Sequence, residues 1–146
     1  MPSIQILTEN DKKISVKLKG VSLLYANALR RICLNGIPIF AIDTVDMIEN
    51  TSVMADEGIS HTLGMIPLKT ESAESDSRIM LVLDSGNTEV VKTVTTAELE
   101  SKDQVVKPVS KQIPIAHLAP GQRIKLEAYA RLGRGTEHAK WNSANI

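Results

Sequence analysis

The chain has 146 residues, and its 17 Lys plus Arg are matched by 17 Asp plus Glu. That length suits one domain or two small lobes, and zero net charge excludes a dominant nucleic-acid coat or acidic tail while leaving room for a local patch. Aromatics are only 3%, represented by Tyr25, Phe40, Tyr129 and Trp141, too few for an array of base-stacking platforms.

Ile4 and Ile6 alternate with polar residues, Thr8-Glu9-Asn10-Asp11 supplies turn chemistry, and Ile14, Val16 and Leu18 alternate again. This pattern predicts a hairpin with one buried face. Gly20 breaks it, Ser22 is placed to cap a helix, and LLYANALRRICLN predicts a helix over 23–35 that Gly36 and Pro38 stop. One stripe of that helix is Val21, Leu24, Tyr25, Ala28, Leu29 and Ile32; the other side carries Asn27, Arg30 and Arg31, but also Leu23 and Leu34. A helix apolar on two sides fits burial within its own domain, or one face on its own sheet and one on a partner chain. The pattern alone leaves both open.

Residues 37–53 predict a long half-exposed strand, with Ile42, Val45 and Ile48 set against Asp43, Asp46 and Glu49. A short helix follows over 54–64, where Asp56 and Glu57 suit the first turn and Ile59 and Leu63 share a face. Pro67 stops it, and 69–78 is a polar loop. Ile79, Leu81 and Leu83 predict a strand ending at the turn Asp84-Ser85-Gly86-Asn87, after which Thr88–Thr95 is β-rich and suited to pair back as a hairpin. Residues 97–103 read as polar, and Pro108 and Pro114 suit edges. Ile124, Leu126, Ala128 and Ala130 give a clear last strand, ended by Gly133-Arg134-Gly135. The expected class is α+β.

Catalytic chemistry finds little footing. His61, His117 and His138 lack metal-ligand spacing, Cys33 has no CxxC partner, and there is no GxSxG elbow. Asp43 with Asp46 and Asp56 with Glu57 have ordinary structural explanations. Gly133-Arg134-Gly135 could cradle phosphate but lacks the GxxxxGK[ST] pattern. Arg123, Lys125, Arg131, Arg134, His138 and Lys140 gather positive charge near the end of the chain. They suit a solvated strand face, a contact for an acidic protein surface, or, as the main alternative function, a small nucleic-acid-binding module. A lone cysteine excludes an internal disulfide and favours a reducing, cytoplasmic setting. MPSIQILTENDKK has no signal-peptide pattern, and no apolar run approaches the ~18 residues that span a bilayer.

Three stretches add a resemblance: GVSLLYANALRRICLNGIPIFAIDTVDMIENTSVMADEGISHTLGMIPLKT at 20–70, VVKPVSKQIPIAHLAPGQRIKLEAYARLGRG at 105–135, and GTEHAKW at 135–141. In order and spacing they are similar to the D-type family of archaeal RNA polymerase subunits, counterparts of the third-largest eukaryotic subunit and the bacterial α N-terminal domain. The resemblance is weakest over 71–104. It implies a non-catalytic assembly platform. A discontinuous dimerisation domain would pair with a small α-like subunit (L), dock the large catalytic subunits, and meet DNA only through the assembled polymerase.

Carried onto this sequence, the resemblance implies half of the dimerisation domain, hairpin plus helix, at 1–40 and a strand-rich insert domain with a short helix at 41–146. It sets Asn27, Ala28, Leu29, Arg30 and Arg31 in the helix motif that serves dimerisation and large-subunit docking, with Leu23, Asn27, Ala28, Arg30, Arg31 and Leu34 at the partner interface. Asp56, Glu57, His61, Leu63, Gly64 and Pro67 fall in the insert-domain helix motif, and Gly133, Arg134, Gly135, Glu137, His138, Lys140 and Trp141 in its closing loop, as residues that build that fold or help dock the large subunits. Some family members hold iron–sulfur clusters; a single cysteine implies none here, and no other cofactor. The family continues past its EHAKW motif whereas this sequence stops at Ile146, so the expectation is a partial chain with weakened partner binding.

Overall fold

The computed structural model describes residues 1–70 and 78–146. It is α+β. Strands β1 (Ser3–Asn10) and β2 (Lys13–Lys19) form an antiparallel hairpin and a two-stranded sheet of their own. The turn is tighter than the pattern suggested. Asn10 stays in the strand, and its side-chain carbonyl accepts from the Lys12 and Lys13 amides at 3.0 and 2.8 Å.

The expected buried face of this hairpin is a correction: Ile4, Ile6, Ile14 and Val16 are exposed and Leu18 half-buried. Period-2 patterning fixed which side is apolar, but no second layer of the described chain closes over it.

Helix α1 (Leu23–Asn35) runs as expected, with the Ser22 hydroxyl accepting from the Tyr25 amide at 3.2 Å. Gly36 closes it in an ordinary right-handed conformation, its amide donating to the Ile32 carbonyl at 2.8 Å. No residue of α1 is buried.

From Phe40 onward the chain builds one core. Strands β3 (Ile39–Asn50), β4 (Ile79–Asp84), β6 (Leu99–Ser101) and β8 (Ile124–Gly133) form an antiparallel sheet in the order β3-β8-β4-β6. Strand β8 is central, and its buried Ile124, Leu126, Ala128 and Ala130 meet Leu81 and Leu83 of β4. Helix α2 (Asp56–Gly64) adds Ile59 and Leu63, both fully buried. A second small sheet pairs β5 (Lys92–Thr95) with β7 (Pro114–Leu118), so Pro114 sits at the start of a strand with a single partner, where its missing N–H costs no ladder bond.

Four expectations change here. β3 carries register shifts after Ile42 and after Met47, which turn Ile48 out to solvent although its neighbours suggested an inward position. α2 begins at Asp56 rather than Met54, because Asn50 Nδ2 donates to the Met54 carbonyl at 2.9 Å and to the Asp56 carboxylate at 2.6 Å, holding 50–55 as a turn. β5 does not pair back on β4, whose two edges are occupied by β8 and β6. Instead the Thr96 hydroxyl donates to the Ser110 carbonyl at 2.6 Å and accepts from the Ile113 amide at 3.2 Å, drawing β5 to β7. The polar stretch 97–103 contains β6, whose Leu99 is buried. The predicted loop at 69–78 falls largely outside the described residues.

Candidate functional site

An exposed large apolar surface is the most informative feature of the chain, because water-facing Leu, Ile and Tyr in quantity mark an interaction face. Leu23 and Leu24 are 86% and 83% exposed, and Tyr25 and Ile32 are also open. Between α1 and the hairpin lies a groove of about 600 Å³ lined by Ile14, Val16, Leu18, Ala26, Leu29 and Cys33 among others.

The candidate residues of α1 sort accordingly. Leu23, Asn27, Ala28, Arg30 and Arg31 are exposed and Leu34 is half-buried. The Asn27 side-chain carbonyl accepts from Arg30 Nε and Nη2 at 3.2 and 3.1 Å, so this pair braces one turn of the helix. Arg31 lines a shallow depression with Ala28, Ile32 and Asn35.

The C-terminal end of α1 is held by the last residues of the chain. A helix leaves its final carbonyls without intrahelical partners. Here Ser143 donates from Oγ to the Cys33 carbonyl at 2.7 Å and from its amide to the Leu34 carbonyl at 3.0 Å, while the Arg134 guanidinium donates to the Gly36 carbonyl. Gly135 packs so closely on Asn35 and Asn142 that any Cβ there would collide with both.

Beside this anchor sits Trp141, 2% exposed, on a 3-10 turn (Ala139–Trp141) that His138 caps by accepting from the Lys140 amide at 3.1 Å. Its ring lies against Gly133, where a Cβ would overlap the indole. Arg131 Cζ and Lys140 Nζ lie 4.3 and 4.4 Å from the ring centroid. Both cations converge on Asp43, with Arg131 Nε 2.8 Å from Oδ2 and Lys140 Nζ 2.6 Å from Oδ1. Glu137 adds a second carboxylate to Arg131 at 3.2 Å. The Lys140 hydrogen bond, reinforced by Arg131 against partial burial, holds the Asp43 carboxyl below the usual range. His61, exposed on the last turn of α2, shares a 150 Å³ hollow with Asp43, His138 and Lys140. Asp56 and Glu57 lie in the first turn of α2, where their charge suits the helix dipole.

The basic C-terminal surface expected from the sequence is a correction. Arg123 donates to Asp84 from Nε and Nη2 and lies 3.4 Å from Glu49, while Lys125 is 3.8 Å from Asp84. The Arg123 hydrogen bonds, then that from the Gly86 amide, lower the Asp84 pKa to about 2. With Arg131 and Lys140 committed to Asp43, these four cations are neutralised within the chain, which removes the pattern on which a nucleic-acid-binding strand was drawn. The Gly133-Arg134-Gly135 loop is likewise no phosphate cradle: its glycines make room for Trp141, Asn35 and Asn142, and its arginine is bound to a helix carbonyl. Among the described residues no three His, Cys, Asp or Glu are placed to hold a metal ion, and no helix is long and apolar enough to cross a membrane.

Sequence reasoning met Asp43 only as a polar strand position and a catalytic pair with Asp46, and missed Ser143. Only the strand register, which sets Ala41 opposite Arg131, shows that Asp43 stands at the hub.

The RNA polymerase Rpb3/RpoA insert domain family matches residues 34–146. The chain belongs to this family. Among relatives of the insert-domain chain, DNA-directed RNA polymerase subunit Rpo3 of Pyrococcus horikoshii is 44% identical over 149 residues, covering 97% of this chain and 56% of the relative. The same-named subunit of Thermococcus kodakarensis is 44% identical over 97% of this chain and 56% of its own length, and that of Pyrobaculum islandicum 38% identical over 99% and 60%. The chain therefore spans little more than half the length of these relatives, whose names agree with the archaeal polymerase resemblance carried by its three motifs.

Proposed function

We propose that this chain is a non-catalytic assembly subunit of a DNA-directed RNA polymerase of the archaeal type. Residues 1–40 form half of a dimerisation domain that pairs with the small α-like subunit L, and residues 41–146 form an insert domain that helps dock the large catalytic subunits. The reading assigns the chain no cofactor and no catalytic residue, a cytoplasmic place, and contact with DNA only through the assembled enzyme. One observation carries it: the helix holding NALRR presents Leu23 and Leu24 almost fully to solvent beside an apolar hairpin face. Burying two leucines contributes about 3–6 kcal/mol, a large share of the free energy of a specific complex.

The test is light scattering after size exclusion, on this chain alone and mixed with an archaeal subunit L. A one-to-one complex lost on Leu23→Asp/Leu24→Asp is the expected result. A chain that ignores the partner would move pairing outside these residues. If a protein of the relatives' full length also failed to pair, the assembly reading would fall.

A further inference from the structure

One of the two outer edges of the main sheet carries a second surface, remote in sequence from α1. Among the described residues β6 is an outer strand, paired with β4 alone. Its register sets Glu100 opposite Val82, and the Lys102 amide donates to the Met80 carbonyl at 3.1 Å. In an antiparallel ladder this alternation aims the backbone groups of Leu99 and Ser101 away from β4. The Leu99 amide is taken by the Thr96 carbonyl. Among the described residues that leaves the Leu99 carbonyl and both backbone groups of Ser101 along the outer edge.

This edge forms one wall of a groove of about 500 Å³. The facing wall is 107–111, fixed in place by hydrogen bonds from the Lys69 amide to the Lys107 carbonyl at 2.8 Å and from the Val109 amide to the Pro67 carbonyl at 3.0 Å. Val109, 56% exposed, supplies apolar surface. Lys69, Lys107 and Lys111 line the groove, with Glu100 as the sole carboxylate among the lining residues. None of the three lysines makes an ion pair within 4.0 Å among the described residues. The nearby Asp103 turns its Oδ1 to the Val105 and Val106 amides, at 2.6 and 3.1 Å.

In a chain of zero net charge, where Arg123 and Arg131 are paired with carboxylates, this is a local excess of three lysines to one carboxylate among the described lining residues. We propose that the groove binds an extended acidic peptide segment of a partner protein, which adds a strand to β6 and sets alternate carboxylates against Lys69, Lys107 and Lys111. Strand addition supplies main-chain hydrogen bonds, and side chains two apart fall on one face, so a Glu-x-Glu spacing matches the lysine rim. A peptide suits the groove better than a nucleic acid, because one wall offers backbone donors and acceptors and no aromatic ring lines it for a base to stack on.

The probe is a blocked peptide, Glu-Thr-Glu-Thr-Glu-Thr-Glu, titrated into the whole chain by calorimetry and followed by amide NMR. Binding should weaken with salt and shift the Leu99–Ser101 amides. Lys107→Ala/Lys111→Ala should weaken it about 2- to 25-fold, since exposed ion pairs contribute roughly 1.4- to 5-fold each. A peptide of the same charge, N-methylated along the bonding edge, should lose at least as much, which a purely ionic contact would not. Both lysines are exposed, so circular dichroism should show the variant folded. Equal affinity of the methylated peptide, indifference to the lysine changes, no saturable binding of the probe, or tighter binding of a thymidine decamer with the same amide shifts would each overturn the proposal.

Discussion

Trp141→Ala removes the ring around which the C-terminal loop is organised. The indole is buried, and burying such a side chain takes about 200 Å² from water, about 5 kcal/mol at 25 cal/mol per Å². Its N–H donates to the Arg131 carbonyl at 3.3 Å, a bond that contributes about 1 kcal/mol. Arg131 and Lys140 against the ring add roughly 0.5–1 kcal/mol each where, as here, they retain access to water. Partial collapse of the site and a compact unfolded chain reduce the sum, so the expected loss is about 3–5 kcal/mol, in the range for buried Trp→Ala changes. Small domains hold about 5–15 kcal/mol in all, so the variant should unfold at a much lower urea concentration. The assay is urea unfolding followed by far-ultraviolet circular dichroism. Because Trp141 is the one tryptophan, its fluorescence in the parent chain reports this loop alone and should change in the same transition. Trp141→Phe keeps a ring but loses the N–H, and should cost about 1–2 kcal/mol. A Trp141→Ala loss below about 1 kcal/mol would refute the view that the ring is the centre of the loop.

Gly133→Ala should destabilise the chain by about 1–3 kcal/mol, read as a lower urea midpoint, because its methyl occupies space held by the indole. Acid should weaken the fold through Asp84. Its folded pKa of about 2 lies below the ordinary unfolded value, so the contribution is complete above about pH 4 and is lost as pH falls through the folded pKa. For so exposed a pair that is at most about 1 kcal/mol, and Asp84→Asn should flatten the urea midpoint over this window. Ser143→Ala removes the hydroxyl bond to the Cys33 carbonyl and should speed hydrogen exchange in the last turn of α1 by about fivefold, while the Ile59 and Leu63 amides are unchanged.

Helix α1 was legible because a cap, a 3.6 period and a Gly–Pro stop all agree on its ends. β8 was legible because strict alternation across its apolar positions admits one register of burial. β6 was not, since three residues with one apolar side chain carry no period; its strand character comes from the vacant edge of β4. Ile48 misled because the bulge after Ile42 shifts the phase and a second falls at Ile48 itself, and a bulge is set by the partner strand rather than by local composition. The site divides the same way. The two apolar sides of α1 could be read from their spacing, and the resemblance implied that one meets a partner, whereas Asp43, Arg131 and Lys140 are far apart along the chain and meet only through the β3–β8 pairing and the loop that follows it.

Hydrophobic periodicity states that a face seeks cover, not what supplies it, and α1 makes the distinction concrete. A 13-residue helix with no buried residue draws little stability from packing and would be marginal alone in water. Its order in this chain therefore rests on its ends: Ser22 at one, and Ser143, Arg134 and the Gly135 contact at the other. The C-terminal end is the stronger tether, because those residues are continuous with the Trp141 loop and hence with the main sheet through Arg131 and Asp43. Such an arrangement keeps a helix formed while leaving its leucines uncovered. An assembly surface requires both at once: an ordered face lowers the entropy cost of docking, and an uncovered one retains its apolar area for the partner.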